Sequence, residues 1–364
     1  TAYNNGSILA IQPSDGSGDF QFSRGSSATR VNAQGLIEDV ASNLTRIDYT
    51  DGCGSLLLEP QSTNLVPYSE DFSDASWTKG TNITLTYEPN IIAPDGSLGV
   101  YRLQLPTLSS TFLQFQTGVG NKNYTGSIYA KKASVSDQGF NLFYGGNPSA
   151  LFIPTDDWQK YDYNDNGNQF SIVNDGDVFE TDIYIWGAQL EENSFSTSYI
   201  PTQGASSTRL ADIATNSGNA SLINSEQGVL YAEISTLTSD AVFRFITLSN
   251  GGDVNNSVRL YFYNGIYGRI LVAGVEQFMS FTASYDMLDV NKIAISYAEN
   301  NFALWINGVE VGSSSSGSVF PIGTLDTLNF NRGGGQFPFY GKTKAIAVYK
   351  TTLTDEQLTL LTTL

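Results

Sequence analysis

Apolar and polar residues alternate in short runs along most of the sequence, and this period of two constrains the fold more than any other feature. Residues 99–105, GVYRLQL, and residues 180–190, ETDIYIWGAQL, are examples. Such runs, bounded by Gly, Asn, Asp or Pro, are typical of β-strands, in which successive side chains point to opposite faces. The pattern predicts an all-β fold of two β-sandwich (jelly-roll) domains in series, with a small N-terminal β-hairpin module and one short C-terminal helix.

Local signals predict two tight turns and the helix. Asn-Gly pairs at 264–265 and 307–308 separate alternating runs, which favours type I′ hairpins because both central residues need positive φ. Residues 353–361, LTDEQLTLL, form the one convincing helical segment. Thr354 and Gln357 fit a capping box at its start, and Leu353 and Leu358 fit a hydrophobic staple across it.

The length predicts more than one domain, because a single hydrophobic core stops growing at about 250–300 residues and this chain has 364. The apolar period is lost just past the middle of the chain. The predicted divisions are an N-terminal β-hairpin and assembly module (1–66), a first sandwich (67–202), a linker (203–218) and a second sandwich (219–364).

The net charge of the chain limits the partners that it can bind. The chain has 18 Lys and Arg against 36 Asp and Glu, a net charge of −18. Such a surface repels nucleic-acid phosphates and anionic lipid surfaces, so we expect no nucleic-acid and no membrane partner. Neutral glycans stay open as ligands, and so do acidic glycans if calcium bridges them. The alternative is that acidic charge only maintains solubility.

The residue types exclude several kinds of catalysis. The sequence has no His and a single Cys, Cys53, which excludes intrachain disulfides, Cys-based zinc sites and imidazole chemistry. In residues 180–185, ETDIYI, Glu180 and Asp182 resemble part of a glucanase carboxylate motif, but Ile185 stands in the third carboxylate position. A retaining glycosidase needs two carboxyl groups about 5 Å apart, so we expect no enzyme and no catalytic residues.

Several long segments resemble known families. Residues 56–79 and 183–212 are similar to segments of phage tail-fibre and virion surface proteins, where they bracket a jelly roll like those of carbohydrate-binding modules. Residues 291–312 and 340–361 resemble the laminin-G and concanavalin-A-like lectin superfamily.

The resemblance implies a bacteriophage virion surface protein, as a tail fibre, spike or decoration, that attaches to host cells without catalysis. Its implied partners are a host surface glycan, other virion proteins and two further copies of itself in a homotrimer. A polysaccharide depolymerase or glycosidase and a purely structural capsid or fibre protein are the alternatives.

Sugar binding uses flat aromatic faces together with polar groups that satisfy hydroxyls. Turn-rich surroundings suggest rings at three positions of the first sandwich, and the glycine-rich loop 330–341 suggests a guanidinium and a ring in the second. The candidate carbohydrate-binding residues are therefore Trp77, Tyr144, Trp158, Arg332 and Tyr340. For each aromatic residue, core packing is the alternative.

The other two tryptophans have different expected roles. Trp186 lies inside an apolar strand and is expected in the core. Trp305 alternates with Phe302, Leu304 and Ile306 and is expected on the opposite face of its sheet.

One segment resembles half of a calcium loop. Residues 162–167 place Asp162, Asn164, Asn166 and Gly167 at the D-x-N-x-N-G positions, but Val173 occupies the twelfth, where a bidentate Glu belongs. A polar hairpin turn is the alternative. Asp253, in residues 251–256, is a vaguer possibility. We therefore expect no cofactor and leave calcium open.

Overall fold

The computed structural model describes residues 2–4, 7–9, 19–107, 111–116, 118, 120–134, 139–174 and 180–364, with side chains from residue 19 onward. Within these ranges the protein is all-β apart from one helix, α1 (Asp355–Thr362). No helix in the described ranges has the length and apolarity needed to cross a bilayer.

Short strands occupy the first 80 residues: β1 (Ala2–Asn4), β2 (Ser7–Leu9), β3 (Gln21–Ser23), β4 (Ala28–Val31), β5 (Ile37–Val40), β6 (Arg46–Asp48), β7 (Ser55–Leu58), β8 (Ser62–Asn64) and β9 (Trp77–Lys79). The middle of the chain forms β10 (Thr84–Ile92), β11 (Leu98–Leu105), β12 (Phe112–Gln116), β13 (Lys122–Lys132), β14 (Asn141–Phe143), β15 (Gln159–Gly167), β16 (Gln169–Val173), β17 (Thr181–Glu191), β18 (Ser207–Arg209) and β19 (Ile213–Thr215). The C-terminal part forms β20 (Gln227–Thr236), β21 (Arg244–Ser249), β22 (Ser257–Phe262), β23 (Ile266–Val272), β24 (Val275–Thr282), β25 (Asn291–Ala298), β26 (Asn301–Ile306), β27 (Val309–Ser314), β28 (Thr327–Asn329) and β29 (Gly341–Tyr349).

The strands fall into two compact units whose boundaries differ from the expected divisions. Unit 1 comprises Thr1–Gly25, Ala41–Pro60 and Ala211–Leu364, and unit 2 comprises Ser26–Val40 and Gln61–Leu210. Residues 1–66 are therefore shared between the units instead of forming a module of their own. The segment expected as a linker, 203–218, contains the unit boundary, but it also forms β18 and β19.

Unit 2 is a sandwich of two antiparallel sheets. The five-stranded sheet has the order β10-β11-β17-β13-β15 and the four-stranded sheet the order β14-β16-β12-β9. Inward residues of both sheets, such as Leu103, Ile128, Leu113 and Phe170, form one buried core. Strands β4 and β5 form a hairpin, and Ile37 of β5 packs in a smaller cluster with Trp186.

Unit 1 is a second sandwich. Its seven-stranded sheet has the order β27-β26-β25-β20-β29-β7-β6, and its five-stranded sheet has the order β24-β23-β22-β21-β28. Phe302, Leu304 and Ile306 point into the core between the sheets. Trp305 points to the opposite face, as predicted, where it packs with Leu358 of α1.

The turn predictions are confirmed at one site and modified at the other. Asn307 and Gly308 have φ values of 51° and 83° and join Ile306 to Val309, as a two-residue type I′ turn requires. At the other hairpin Phe262 pairs with Ile266, so three residues form the loop and Gly265 has a φ of 154°.

The helix begins with the predicted capping box. The Thr354 hydroxyl accepts a hydrogen bond from the Gln357 backbone N–H, and the Gln357 side chain accepts one from the Thr354 N–H. We expect Thr354→Ala to lower the free energy of unfolding by about 1 kcal/mol, because a backbone donor loses its partner. Chemical denaturation measures this change, and Thr351→Ala, at an exposed position before the helix, is the control. An unchanged midpoint for Thr354→Ala would show that the cap contributes nothing.

Candidate ligand-binding face

Two of the aromatic residues predicted to contact sugar lie in the core of unit 2, so this part of the prediction is corrected. Trp77 is 1% exposed and stacks obliquely on Phe72, with ring centroids 5.0 Å apart, while its Nε1 donates to the Tyr68 carbonyl. Tyr144 is fully buried, and burial raises the pKa of its phenol well above the ordinary value. Trp77 begins β9 and Tyr144 directly follows β14, and both side chains point into the core.

Trp158 is half-buried at the start of β15. Its Nε1 donates to the Ile92 carbonyl at 2.9 Å, and the Lys131 ammonium lies 4.9 Å from the ring centroid. A cation already occupies one face of this ring, as in other cation–π pairs. The ring is therefore held as part of the surface of unit 2.

The two predicted residues of unit 1, Arg332 and Tyr340, both belong to the glycine-rich loop 330–341 but have different surroundings. The Arg332 guanidinium lies 5.1 Å from the centroid of the Phe337 ring. Tyr340 is half-buried and lines a cavity of about 140 Å³ together with Asp212, Phe330 and Phe339. Of the five predicted residues, Arg332 is the one that lies near the outer face of the five-stranded sheet of unit 1, beside Arg259.

A ladder of aromatic rings crosses the face of the five-stranded sheet of unit 1 that points away from its core. Phe245 pairs with Tyr261, Tyr261 with Tyr267, and Tyr267 with Phe281, each directly opposite on the next strand. Successive ring centroids are 4.8, 4.6 and 4.9 Å apart and the rings are stacked. The ladder ends at Phe281 on the edge strand β24, where the side chain is 55% exposed.

A row of polar residues runs parallel to this ladder. Each member of the row lies two residues from a ladder residue on the same strand. Thr247 pairs with Arg259, and Arg259 pairs with Arg269 on β23. Arg332 lies close enough to Arg259 to affect its ionisation. The pKa of Arg259 is lowered to about 10, first by burial and then by the positive charges of Arg332 and Arg269. We name the ladder and this arginine row together the arginine–aromatic face.

On this side of the sheet, several buried polar atoms have no hydrogen-bond partner among the described residues. They are the hydroxyls of Thr247, Ser249 and Ser257 and the Nε atoms of Arg259, Arg269 and Arg332. Arg269 Nε lies 2.8 Å from a Glu276 carboxylate oxygen, so the two form an ion pair although the N–H does not point at that oxygen. Unpaired buried donors and acceptors are costly and are rare in folded proteins.

The two loops that border the polar row lie close together. A Cβ on Gly333 would lie 3.6 Å from the Gly252 carbonyl oxygen and 3.7 Å from a Val254 methyl group. The Val254 carbonyl accepts a hydrogen bond from the Arg259 guanidinium. The glycine-rich loop and residues 251–256, each singled out in the sequence, therefore meet beside the same strands.

The carboxylates considered for catalysis have other surroundings. Asp182 receives two hydrogen bonds from Arg102, at 2.8 and 2.7 Å, and these bonds hold its pKa below the usual range. Glu180 is exposed just before β17. Asp182 is therefore part of a cross-strand ion pair between β11 and β17.

The calcium motif is not a loop, and the alternative of a hairpin turn is also wrong. Residues 162–167 form the second half of β15, paired with β13 from Ser127 back to Lys122. Side chains two residues apart on a strand are separated by nearly 7 Å, so Asp162, Asn164 and Asn166 cannot converge on one ion. Among the described residues, no group of three or more Asp, Glu or Cys is placed to hold a metal.

Comparisons with known proteins give remote structural neighbours. No protein-family model and no curated protein matches the chain. The CBM40 module of the Ruminococcus gnavus IT-sialidase, bound to α2,3-sialyllactose, matches 38% of this chain and 84% of its own at 20% identity and a TM-score of 0.34. A SAP-like pentraxin from Limulus polyphemus matches 38% and 70% at 12% identity and 0.32. Domains LG4-5 of the mouse laminin α1 chain match 76% and 92% at 9% identity and 0.27.

Proposed function

We propose that the protein binds glycans, without catalysis, through the arginine–aromatic face of unit 1. One observation carries the proposal: the accessible rings of Phe281 and Tyr267, several guanidinium groups and buried polar atoms that have no hydrogen-bond partner among the described residues share one face of one sheet. Sugars offer both apolar C–H surfaces and many hydroxyls, so they match this combination better than a purely apolar ligand does.

The geometry gives each group a role. Phe281 and the half-buried Tyr267 form the solvent-facing end of the ladder, where a sugar ring can pack. Arg269 lies two residues from Tyr267 on β23, and Arg332 lies near Arg259. Both can donate to sugar oxygens, because a guanidinium has several donors in a fixed plane. A ligand that pairs otherwise unpaired polar groups recovers part of their desolvation cost.

The biological setting that we propose is the surface of a bacteriophage virion, where the protein attaches to host-cell glycans as a tail fibre, spike or decoration. The support is the similarity of residues 56–79 and 183–212 to segments of such proteins. A homotrimer assembled with other virion proteins fits this setting, since several copies multiply weak single-site affinity.

We expect the double variant Tyr267→Ser/Phe281→Ser to lose binding on a glycan array. Each lost ring contact costs about 1–2 kcal/mol, so the affinity for the best glycan should fall at least about tenfold. The matched control is Ile322→Ser, which removes an apolar side chain of unit 1 that is 83% exposed and lies outside the ladder. Circular dichroism checks that both variants are folded. Equal binding by a folded double variant and by the control would contradict the proposal.

A further inference from the structure

We propose that the glycan bound by the arginine–aromatic face is acidic, and that its sugar carboxylate is held by Arg269 and Arg332 above Arg259. This inference rests on the proposed function, and it names the class of ligand. It also departs from the expectation that acidic glycans would need calcium as a bridge.

Positive charge is concentrated on this face. The chain has twice as many acidic as basic residues and a net charge of −18, yet three arginines share this face. Arg259 and Arg269 lie directly opposite each other on β22 and β23. Like charges in directly opposite positions destabilise a sheet, so the arrangement is unfavourable unless something negative offsets it.

Nearby carboxylates offset this positive charge only in part. Glu276 forms an ion pair with Arg269. The Asp253 carboxylate accepts hydrogen bonds from the Asn255 N–H and the Asn256 amide, both at 2.7 Å, so it is engaged within its own loop. The Arg332 guanidinium lies over the Phe337 ring, and its Nε has no hydrogen-bond partner among the described residues. The arginines therefore retain donors for a ligand anion.

The ionisation of Arg259 also favours a bound anion. Burial is the largest cause of the lowered pKa of Arg259, and Arg332 and Arg269 add to it, while Tyr261 and Asp253 act in the opposite direction. A bound carboxylate adds a negative charge close to the three guanidiniums and raises this pKa again. Carboxylates also match the planar donor fork of arginine.

A sugar carboxylate fits better than a free inorganic anion because of what surrounds the arginines. The row of guanidiniums is flanked by the aromatic ladder, whose ring edges are electropositive and whose end at Phe281 is exposed. A nucleic acid is disfavoured by the overall net charge of −18.

The test is isothermal titration with a uronic-acid oligosaccharide and with the same oligosaccharide after reduction of its carboxyl groups to alcohols. We expect the acidic form to bind at least about tenfold more tightly, the ratio that one charge-assisted pair provides. In Arg269→Gln and in Arg332→Gln the two forms should bind within about threefold of each other. Lys344→Gln is the control, because it removes one positive charge from an exposed position on β29, in the other sheet of unit 1.

The possible outcomes separate the two proposals. Equal binding of the acidic and reduced forms overturns the acidic-ligand inference and leaves glycan binding intact. Absence of binding to every glycan on the array overturns the proposed function itself. If inorganic phosphate or sulfate displaces the oligosaccharide at an equal concentration, the role given to the sugar is overturned. A wild-type oligomer that Arg269→Gln disperses would show that the face binds a second copy instead.

Discussion

Asp212→Ala should lower the free energy of unfolding by about 3–5 kcal/mol, because it leaves buried arginines without their counter-ion. Asp212 Oδ1 accepts a hydrogen bond from Arg24 at 3.0 Å, and Oδ2 forms an ion pair with Arg46. The side chains of all three residues are fully buried. The second partner of Arg46 is Glu59, at 2.7 Å.

This network joins three separate segments of unit 1. Arg24 comes from the first segment, Arg46 and Glu59 from the second, and Asp212 from the third. Arg24 also donates to the Ala41 and Leu44 carbonyls, and the Glu59 N–H donates to Asp212. Removal of one carboxylate therefore affects how all three segments pack.

Urea denaturation of the full chain, followed by far-ultraviolet circular dichroism, measures the effect. Asp289→Ala is the matched control, since Asp289 is an exposed carboxylate of the same unit, and its change should stay within about 0.5 kcal/mol. A loss of less than about 1 kcal/mol for Asp212→Ala would show that the buried charges are not coupled as described.

Trp77→Ala should destabilise unit 2 by about 3–5 kcal/mol through the cavity it leaves. The ring packs against Phe72, Phe115 and Phe170, with centroids 5.0, 6.1 and 6.2 Å away. The Tyr68 carbonyl also loses the indole N–H donor. Glycan binding by the arginine–aromatic face should be retained at temperatures where the variant is folded.

Trp158→Ala is the comparison, because the same residue type is removed from a half-buried position. Trp158→Ala should lower the free energy of unfolding by less than about 2 kcal/mol, because the indole makes only a cation–π contact and one hydrogen bond at the surface. A folded Trp77→Ala protein with unchanged stability and weakened glycan binding would reverse the assignment of Trp77 to the core.

The local features of the fold were predictable from the sequence because neighbouring residues determine them. The capping box needs only Thr354 and Gln357, and the two-residue turn needs only Asn307 and Gly308. The division into units was not predictable in the same way. It depends on long-range pairing, such as Lys342 of β29 opposite Leu57 of β7, and no local pattern encodes that partner.

The candidate site was only partly predictable for a related reason. Alternation shows which residues share a face, and Tyr144 shares one with Phe140 and Leu142, so its burial could have been inferred from residues 140–144. The same rule places Arg259 and Tyr261 on the sheet face opposite to the one that carries Val258 and Leu260. Their alignment with Arg269 and Tyr267 depends on the three-residue loop after Phe262, which the Asn-Gly pair alone did not reveal.

The most direct test of the central claim is a crystal structure of the full chain with the acidic glycan that binds most tightly on the array. The account predicts a sugar ring packed against Phe281 or Tyr267, with its carboxylate oxygens about 2.7–2.9 Å from the guanidiniums of Arg269 and Arg332. A glycan bound on unit 2, or in the cavity beside Asp212 and Tyr340 with nothing on the arginine–aromatic face, would contradict it.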